Sequence, residues 1–292
     1  MSEQSDQRDR GGRSGRSAPN HPRRERLLCD WHSTLQSTAA RCRGLVKEIV
    51  VVEETDSTQD EARRRGASPG LMVVAGRQCR GRGRLGRTWL DSADAGVALS
   101  VVVPAMNAAR LAVAAAVGTA RACSRVALAS RSAIWQRTRR NPDGPSATLP
   151  FFGLKWPNDV YVEGRKLAGV LIESDGDSAI IGIGINVSQL EWPEALRTRA
   201  VSLRQLEIEC DRLAVIESLL VALGEAMQES EAKLVEAFRA RDTLVNTRRR
   251  LLVGELELEG VVVALDPLRW LRLRLDDDRV VDCDAAITRV LG

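Results

Sequence analysis

Apolar runs alternate with polar turns through the first half of the chain. Three strands are predicted on this basis, at residues 45–53, 71–78 and 95–104. Thr58 is followed three residues later by Glu61, the spacing of a capping box, so a helix is expected to start at Ser57 or Thr58. Residues 107–130 are rich in alanine, with Leu and Val at helical spacing, and predict a buried helix.

The second half begins with four strand-like segments joined by short turns. They lie at residues 151–156, 159–162, 166–174 and 178–187. Helical segments are expected at 193–206 and 211–245, and the last 45 or so residues predict short strands that suffice for a small β-barrel. Residues 130–150 are polar and basic and predict a surface excursion. The predicted divisions are a tail at 1–44, a main domain at 45–246 and a C-terminal domain at 247–292.

Composition narrows the class of protein. The chain has 292 residues, 44% of them hydrophobic, and lacks an apolar run near the roughly 20 residues that a membrane span needs. These values exclude an integral membrane protein, a wholly disordered chain and a disulfide miniprotein. The six cysteines are scattered without a CxxC pair, so neither a zinc site nor a disulfide framework is expected. With no apolar signal segment at the N-terminus, a cytoplasmic location is expected.

The positive net charge comes from the N-terminal tail. Residues 1–44 contain nine Arg against five acidic residues, which accounts for the whole net charge of +4. Their Arg, Gly, Ser and Pro content predicts a disordered segment, and an inert solvated tail is favoured over an RNA-binding one. Only residues 27–43 could be helical, which is too little for a helix-turn-helix with its own core.

Lysine is scarce and unevenly placed. Only four of the 43 basic residues are lysine, and two of these, Lys155 and Lys166, lie within twelve residues of each other. Chance is one explanation. The other is that a compact ammonium group is needed there, for which a planar guanidinium is no substitute. Lys155 ends a predicted strand in the sequence KWPND, where Pro157 interrupts strand pairing.

Residues 76–90 form a loop with four Gly, five Arg and no acidic residue. Its glycines fit neither GxGxxG nor GxxxxGK[ST], so neither a Rossmann fingerprint nor a P-loop is present. Arg82 and Arg84 alternate with Gly81 and Gly83, an arrangement that lets backbone amides and two guanidiniums approach one anion. An organic phosphate ligand is the favoured hypothesis, and an RGG-like RNA-binding or merely solvated loop is the alternative.

Three segments together resemble those of the biotin protein ligases. They are GRGRLGRTW, KWPNDVYVEGRKLAGVLIE and GIGINV, preceded by DST at a strand-to-helix turn. The resemblance covers about residues 45–187. It implies an α+β fold in which a mixed β-sheet is flanked by helices, as in class II aminoacyl-tRNA synthetases and biotin synthetases. A small C-terminal SH3-like β-barrel is expected to follow.

The resemblance also implies roles for particular residues. The expected catalytic residues are Lys155 and Arg84. The implied nucleotide contacts are Arg82, Arg84, Asn186 and Trp89, the last by stacking on adenine. The implied biotin contacts are Ser57, Thr58, Gln59, Gln78, Arg82, Gly83, Arg84 and Lys155. Gln59 departs from the usual Asn of the family, so the hydrogen bonds to the ureido ring of biotin must be re-aimed.

The implied reaction has two steps and uses ATP with Mg²⁺. Biotin is first activated to biotinyl-5′-AMP and is then transferred to a lysine of the biotin carboxyl carrier protein domain of a biotin-dependent carboxylase. Asp159 is a candidate for holding Mg²⁺, but the residues do not assign a metal ligand. The winged helix of the bifunctional repressors is not recognised here, so DNA is not expected as a partner. A membrane is not expected either, and RNA is an unfavoured partner.

Two other functions stay open at this point. A lipoate or octanoate ligase or transferase shares the fold and the acyl chemistry. A non-enzymatic RNA-binding protein is the alternative of a different class. Pyrophosphate release from ATP, tested with each acid and with RNA, separates the three.

Overall fold

The computed structural model describes residues 21–42, 44–90, 94–137 and 148–291. A seven-stranded sheet forms its larger part. The strands of this sheet are β1 (Glu48–Thr55), β2 (Leu71–Gln78), β5 (Gly96–Pro104), β6 (Gly153–Lys155), β7 (Asp159–Val162), β8 (Arg165–Asp175) and β9 (Ser178–Asn186). Two short strands, β3 (Gly81–Arg82) and β4 (Thr88–Trp89), pair with each other in the Arg/Gly loop.

The strand order explains how distant segments meet. It is β1-β2-β5-β9-β8-β7-β6, with β1 parallel to β2 and every other pair antiparallel. The three N-terminal strands and the four-strand meander predicted from the sequence therefore join through the β5–β9 pair. This mixed sheet confirms the predicted fold class.

The helices are α1 (His21–Ala39), α2 (Thr58–Arg64), α3 (Ala108–Arg137), α4 (Arg212–Gln228) and α5 (Glu231–Arg239). The long helix α3 packs against α4, and Gly118 allows close approach because a Cβ there would lie 3.1 Å from the Leu223 Cα. Its segment Ala108–Ala133 is long and apolar enough to cross a membrane, but 72% of its most apolar window is buried inside the protein. A buried, alanine-rich helix is what the sequence predicted here.

The N-terminal tail was predicted to extend to residue 44, and this boundary is wrong. Helix α1 places Trp31, Leu35 and Ala39 in the hydrophobic core, and the Thr38 hydroxyl donates to Glu217 on α4 at 2.8 Å. These residues recur at helical spacing, a stripe that average composition hides. The prediction of disorder for residues 1–20 lies outside the described residues.

Three further expectations need correction. Residues 193–206 form two 3₁₀ turns instead of a helix, because their backbone bonds to β8. The Lys166 amide donates to the Arg199 carbonyl at 2.7 Å, and the Val201 amide donates to the Lys166 carbonyl at 3.0 Å. The predicted helix at 211–245 is divided into α4 and α5, since Ser230 is extended and caps α5. Helix α3 also runs to Arg137, into the predicted surface excursion, of which residues 138–147 lie outside the described part.

The C-terminal part is a five-stranded antiparallel sheet. It starts at Arg248, next to the predicted boundary, and has the order β13-β12-β11-β10-β14, consistent with an SH3-like domain. Its strands are β10 (Arg248–Val253), β11 (Leu256–Asp266), β12 (Trp270–Arg274), β13 (Val280–Asp284) and β14 (Thr288–Leu291). The indole N–H of Trp156 donates to the Pro267 carbonyl at 3.1 Å, which ties this sheet to the end of β6.

Candidate active site

A cavity of about 480 Å³ lies where the Arg/Gly loop crosses β8 and β9. Every residue that the sequence assigned to the site lines this cavity, with the exception of Ser57. Ser57 instead caps α2, its hydroxyl accepting a hydrogen bond from the Asp60 amide at 3.5 Å. The helix starts at Thr58, as expected, but the Glu61 carboxylate binds Arg64 and Arg65 and closes no capping box on Thr58.

A buried polar cluster lies where α2 starts beside β2. The Thr58 amide donates to the Gln78 side-chain oxygen at 2.8 Å, and the Thr58 and Ser100 hydroxyls lie 2.8 Å apart. The Gln59 amide group is directed at the Ile180 carbonyl at 3.4 Å and packs on Gly182, where a Cβ would lie 2.9 Å from the Gln59 Cδ. These contacts fix the polar groups at one end of the cavity before any ligand binds.

Arg82 is already paired in this structure. Its guanidinium binds Asp60 of α2 and lies 3.0 Å from a carboxylate oxygen of Glu173 on β8. The hydrogen bond to Arg82 is the main cause that lowers the pKa of Asp60, and the Asp60 bond raises the pKa of Arg82. The sequence predicted that Arg82 and Arg84 would both clamp an anion. The structure gives Arg82 a different contact, as an anchor of the loop to α2 and β8.

Arg84 and Lys155 face the cavity without a carboxylate partner among the described residues. Burial is the main cause that lowers the pKa of each, and for Lys155 the neighbouring Arg249 adds to this effect. A cation held in such a place gains strongly from an incoming anion, because the anion replaces the water that burial removed. Arg84 and Lys155 are therefore suited to the role expected of them, which is to stabilise the charge of a bound anion.

Trp89 lies flat against the sheet. Its ring is in contact with Gly184 and Gly169, which are cross-strand partners on β9 and β8 and leave room for it by lacking side chains. The Lys166 ammonium lies 5.4 Å from the centre of the Trp89 ring and 2.7 Å from the Asp159 carboxylate. The aromatic ring that closes the Arg/Gly loop is thus held between glycine backbone and a lysine.

Asn186 has a structural contact as well as a place in the cavity wall. Its amide group donates to the Val201 carbonyl at 3.0 Å and to the Lys166 carbonyl at 3.3 Å. It therefore joins the end of β9 to the segment that returns along β8.

Several cavity residues escaped prediction from the sequence. The sequence could have pointed to Lys166 through the scarcity of lysine, and to Tyr161 because it is the only tyrosine of the chain. No sequence signal points to Arg199 or Arg289, because they come from segments that meet the cavity only through the tertiary fold. Among the described residues the cavity wall contains seven basic side chains and a single carboxylate, that of Asp159. The basic ones are Arg82, Arg84, Arg87, Lys155, Lys166, Arg199 and Arg289. The cavity therefore favours an anionic ligand.

Comparison with known proteins shows the family to which the sequence is similar. Residues 50–189 match the model of the Biotin/lipoate A/B protein ligase family. The Biotin--[acetyl-CoA-carboxylase] ligase of Mycobacterium tuberculosis is 31% identical over 229 residues, 75% of this chain and 80% of that protein. The Bifunctional ligase/repressor BirA of Bacillus subtilis is 31% identical over 222 residues, 70% of this chain but only 62% of that protein.

Solved structures extend the likeness to the fold. The biotin protein ligase from Aquifex aeolicus in complex with biotin and ATP has a TM-score of 0.68 and 27% identity, covering 84% of this chain and 99% of that one. The biotin protein ligase from Leishmania major in complex with biotinyl-5-AMP has a TM-score of 0.52 and 25% identity, covering 82% and 99%. The motifs, the mixed sheet and these relatives agree, and the chain belongs to the biotin protein ligases of the biotin/lipoate A/B protein ligase family.

Proposed function

We propose that this cavity activates biotin with ATP to form biotinyl-5′-AMP and then transfers biotin to a lysine of a carrier protein. The observation that carries the proposal is the pairing of Lys155 and Arg84, two half-buried cations without a carboxylate partner among the described residues, with the Trp89 ring that lies on Gly169 and Gly184. The cations suit the phosphate of an adenylate, and the Trp89 ring suits stacking with a flat base.

In the first step, a carboxylate oxygen of biotin attacks the α-phosphorus of ATP, and the bond to the β-phosphate oxygen breaks. The products are biotinyl-5′-AMP and pyrophosphate. Negative charge on the α-phosphate and the carboxylate must be brought together, and this repulsion is the main barrier. Lys155 and Arg84 reduce it from fixed positions, so no nucleophilic side chain is needed.

In the second step, the neutral amine of the carrier lysine attacks the carbonyl carbon of the mixed anhydride. An amide bond forms, AMP leaves with the electrons of the anhydride bond, and the amine loses one proton to solvent. The same two cations stabilise the phosphate of the departing AMP. We propose as the carrier a biotin carboxyl carrier protein domain of a biotin-dependent carboxylase, with the enzyme in the cytoplasm.

The two ends of the ligand are proposed to lie at the two ends of the cavity. The cluster of Thr58, Gln59 and Gln78 offers hydrogen-bonding groups for the ureido ring of biotin. Trp89 offers a ring face for adenine, with Asn186 nearby. Arg82 contributes by holding the loop, since its guanidinium is bound to Asp60 and Glu173.

Mg²⁺ is proposed to enter with the phosphates of ATP. In the described part of the chain no group of three or more His, Cys, Asp or Glu side chains lies close enough together to hold a metal ion. Asp159, the candidate from the sequence, is bound to Lys166 at 2.7 Å. The described residues therefore offer no such cluster, and a metal held mainly by phosphate oxygens and water is typical of Mg²⁺ with ATP.

The test is pyrophosphate release from ATP in the presence of biotin, of lipoate, of octanoate, or of RNA without an acid. Release with biotin alone supports the proposal. Release with lipoate or octanoate but not with biotin would assign the chain to the other branch of the family. The absence of release with every acid, together with tight RNA binding, would support the non-enzymatic alternative.

A further inference from the structure

Lys155 has an aromatic neighbour that no motif assigns. Its ammonium lies 5.0 Å from the centre of the Tyr161 ring, and both residues line the cavity. In the pairing of β6 with β7, Lys155 is opposite Asp159 and Gly153 is opposite Tyr161. The carboxylate opposite Lys155 is bound to Lys166 and forms no ion pair with Lys155, so the ring face is a favourable partner of this ammonium.

The charged groups around Lys155 mostly oppose its charged form. Arg249 on β10, Arg199 after β9 and Lys166 on β8 all lower its pKa, as burial does, and only the Asp159 carboxylate raises it. A long, flexible side chain in such surroundings gains by retreating toward solvent or by losing its proton. A favourable contact is therefore needed to keep the Lys155 ammonium charged and in the cavity.

We propose that Tyr161 is a positioning residue for adenylate formation, whose ring face holds the Lys155 ammonium in the cavity in its charged form. This inference rests on the proposed function. The attraction of a cation to an aromatic face grows as water is removed from the pair, and both side chains are half-buried here. The ring thus supplies a favourable contact for the ammonium while leaving its N–H groups available to a carboxylate or phosphate.

The ring, and not the hydroxyl, is the part that matters. Burial raises the pKa of Tyr161 to about 12, so the hydroxyl stays neutral where the enzyme works. It also forms no hydrogen bond with the described residues. Tyr161→Phe keeps the ring and should replace tyrosine, whereas Tyr161→Leu removes the ring and leaves an apolar side chain.

The first measurement compares adenylate formation in these two variants. Tyr161→Leu should lower kcat by about 5- to 30-fold, the range that one cation–π contact supports. KM for biotin and ATP should change less, and Tyr161→Phe should be close to wild type. Equal kcat in wild type and Tyr161→Leu, or an equal loss in both variants, would overturn the proposal. If Tyr161→Leu does not fold, Tyr161→Met removes the ring with an unbranched side chain.

The second measurement needs no substrate. With only four lysines in the chain, isotope-labelled lysine gives a spectrum in which each ammonium can be titrated separately. The Lys155 midpoint should move to lower pH in Tyr161→Leu and stay in place in Tyr161→Phe, while Lys233 on α5, which does not line the cavity, is the internal control. An unmoved Lys155 in Tyr161→Leu contradicts the contact. Because ligand is absent, this failure is seen separately from any failure of the proposed function.

Discussion

Asp159 is the cross-strand partner of Lys155, but its carboxylate binds Lys166, whose ammonium lies 2.7 Å away. Asp159 is the single carboxylate among the described residues of the cavity wall. It therefore holds Lys166, whose ammonium lies over the Trp89 ring. Lys155 has no anionic partner among the described residues, and an incoming carboxylate or phosphate supplies one. The central feature of the site is that its two lysines have different roles. Lys166 supports the Trp89 ring, and Lys155 is left to contact the ligand.

Replacing Lys155 should nearly abolish adenylate formation. Lys155→Ala, and also Lys155→Arg, is expected to lower biotin-dependent pyrophosphate release by about 10²- to 10³-fold, as happens when one preorganised charge-stabilising donor is removed. The planar guanidinium does not fit the position of a compact ammonium. Thermal melting should be unchanged, because Lys155 makes no ion pair within the described structure. A Lys155→Arg enzyme with near wild-type release would contradict this assignment.

The pH dependence of adenylate formation should report the Lys155 proton. Burial and the neighbouring cations place the pKa of Lys155 below its ordinary value, so activity should fall at high pH earlier than for an exposed lysine. Asp159 raises this pKa, and Asp159→Asn should therefore move the alkaline limb to still lower pH. The measurement is kcat against pH in both enzymes. A limb that moves to higher pH in Asp159→Asn would show that another group controls it.

The anchor of the Arg/Gly loop can be tested by proteolysis. Asp60→Asn removes one carboxylate bound to Arg82, so the loop should open more often. Trypsin cleavage after Arg84 and Arg87 should be faster by up to about fivefold, since a partly exposed ion pair contributes roughly 1 kcal/mol or less. Biotin with ATP should suppress cleavage in wild type much more than ATP alone.

The matched control for the loop is Glu225→Gln, which removes an exposed ion pair with Arg125 far from the cavity. Its cleavage pattern should equal that of wild type. Equal rates in Asp60→Asn and wild type would mean that Arg82 does not hold the loop. Equal rates with and without both substrates would contradict the assignment of this loop to the ligand.

Helix α1 should contribute to the stability of the catalytic domain. Leu35 is fully buried, and Leu35→Ala is expected to lower the free energy of unfolding by about 2 to 5 kcal/mol, the usual cost of such a cavity. Gln36→Ala, on the exposed side of the same helix, is the control and should have little effect. Urea unfolding followed by circular dichroism measures both. Equal stability of the two variants would mean that α1 does not pack as described.

The sequence predicts the central sheet well because each strand is a local run of apolar residues with its own turn signals. It fails at residues 193–206, where backbone bonds to Lys166 outweigh helical propensity. It allowed a helix at residues 27–43 but assigned it to the tail, because the apolar stripe that packs α1 on the core is diluted by a polar composition. In both places tertiary contacts decide the structure, and these are not encoded in any short window.

In the candidate site too, local motifs could be predicted from the sequence and tertiary contacts could not. The Arg/Gly loop and the KWPND segment are continuous in sequence, so their residues can be selected by motif. The partners of Arg82 lie 22 and 91 residues away, and no local pattern shows that its charge is already compensated. Arg289 reaches the cavity wall from the C-terminal sheet and is invisible to motif analysis for the same reason.

Direct detection of biotinyl-5′-AMP tests the central claim most directly. The full chain is incubated with biotin, ATP and Mg²⁺ without an acceptor, the protein is denatured, and the released small molecules are identified by mass spectrometry. The account predicts biotinyl-5′-AMP in near-stoichiometric amount with wild type and almost none with Lys155→Ala. Addition of a carrier domain before denaturation should convert it to AMP and biotinylated carrier. Wild-type enzyme that yields pyrophosphate but no biotinyl adenylate, or a Lys155→Ala enzyme that forms it as fast as wild type, would contradict the account.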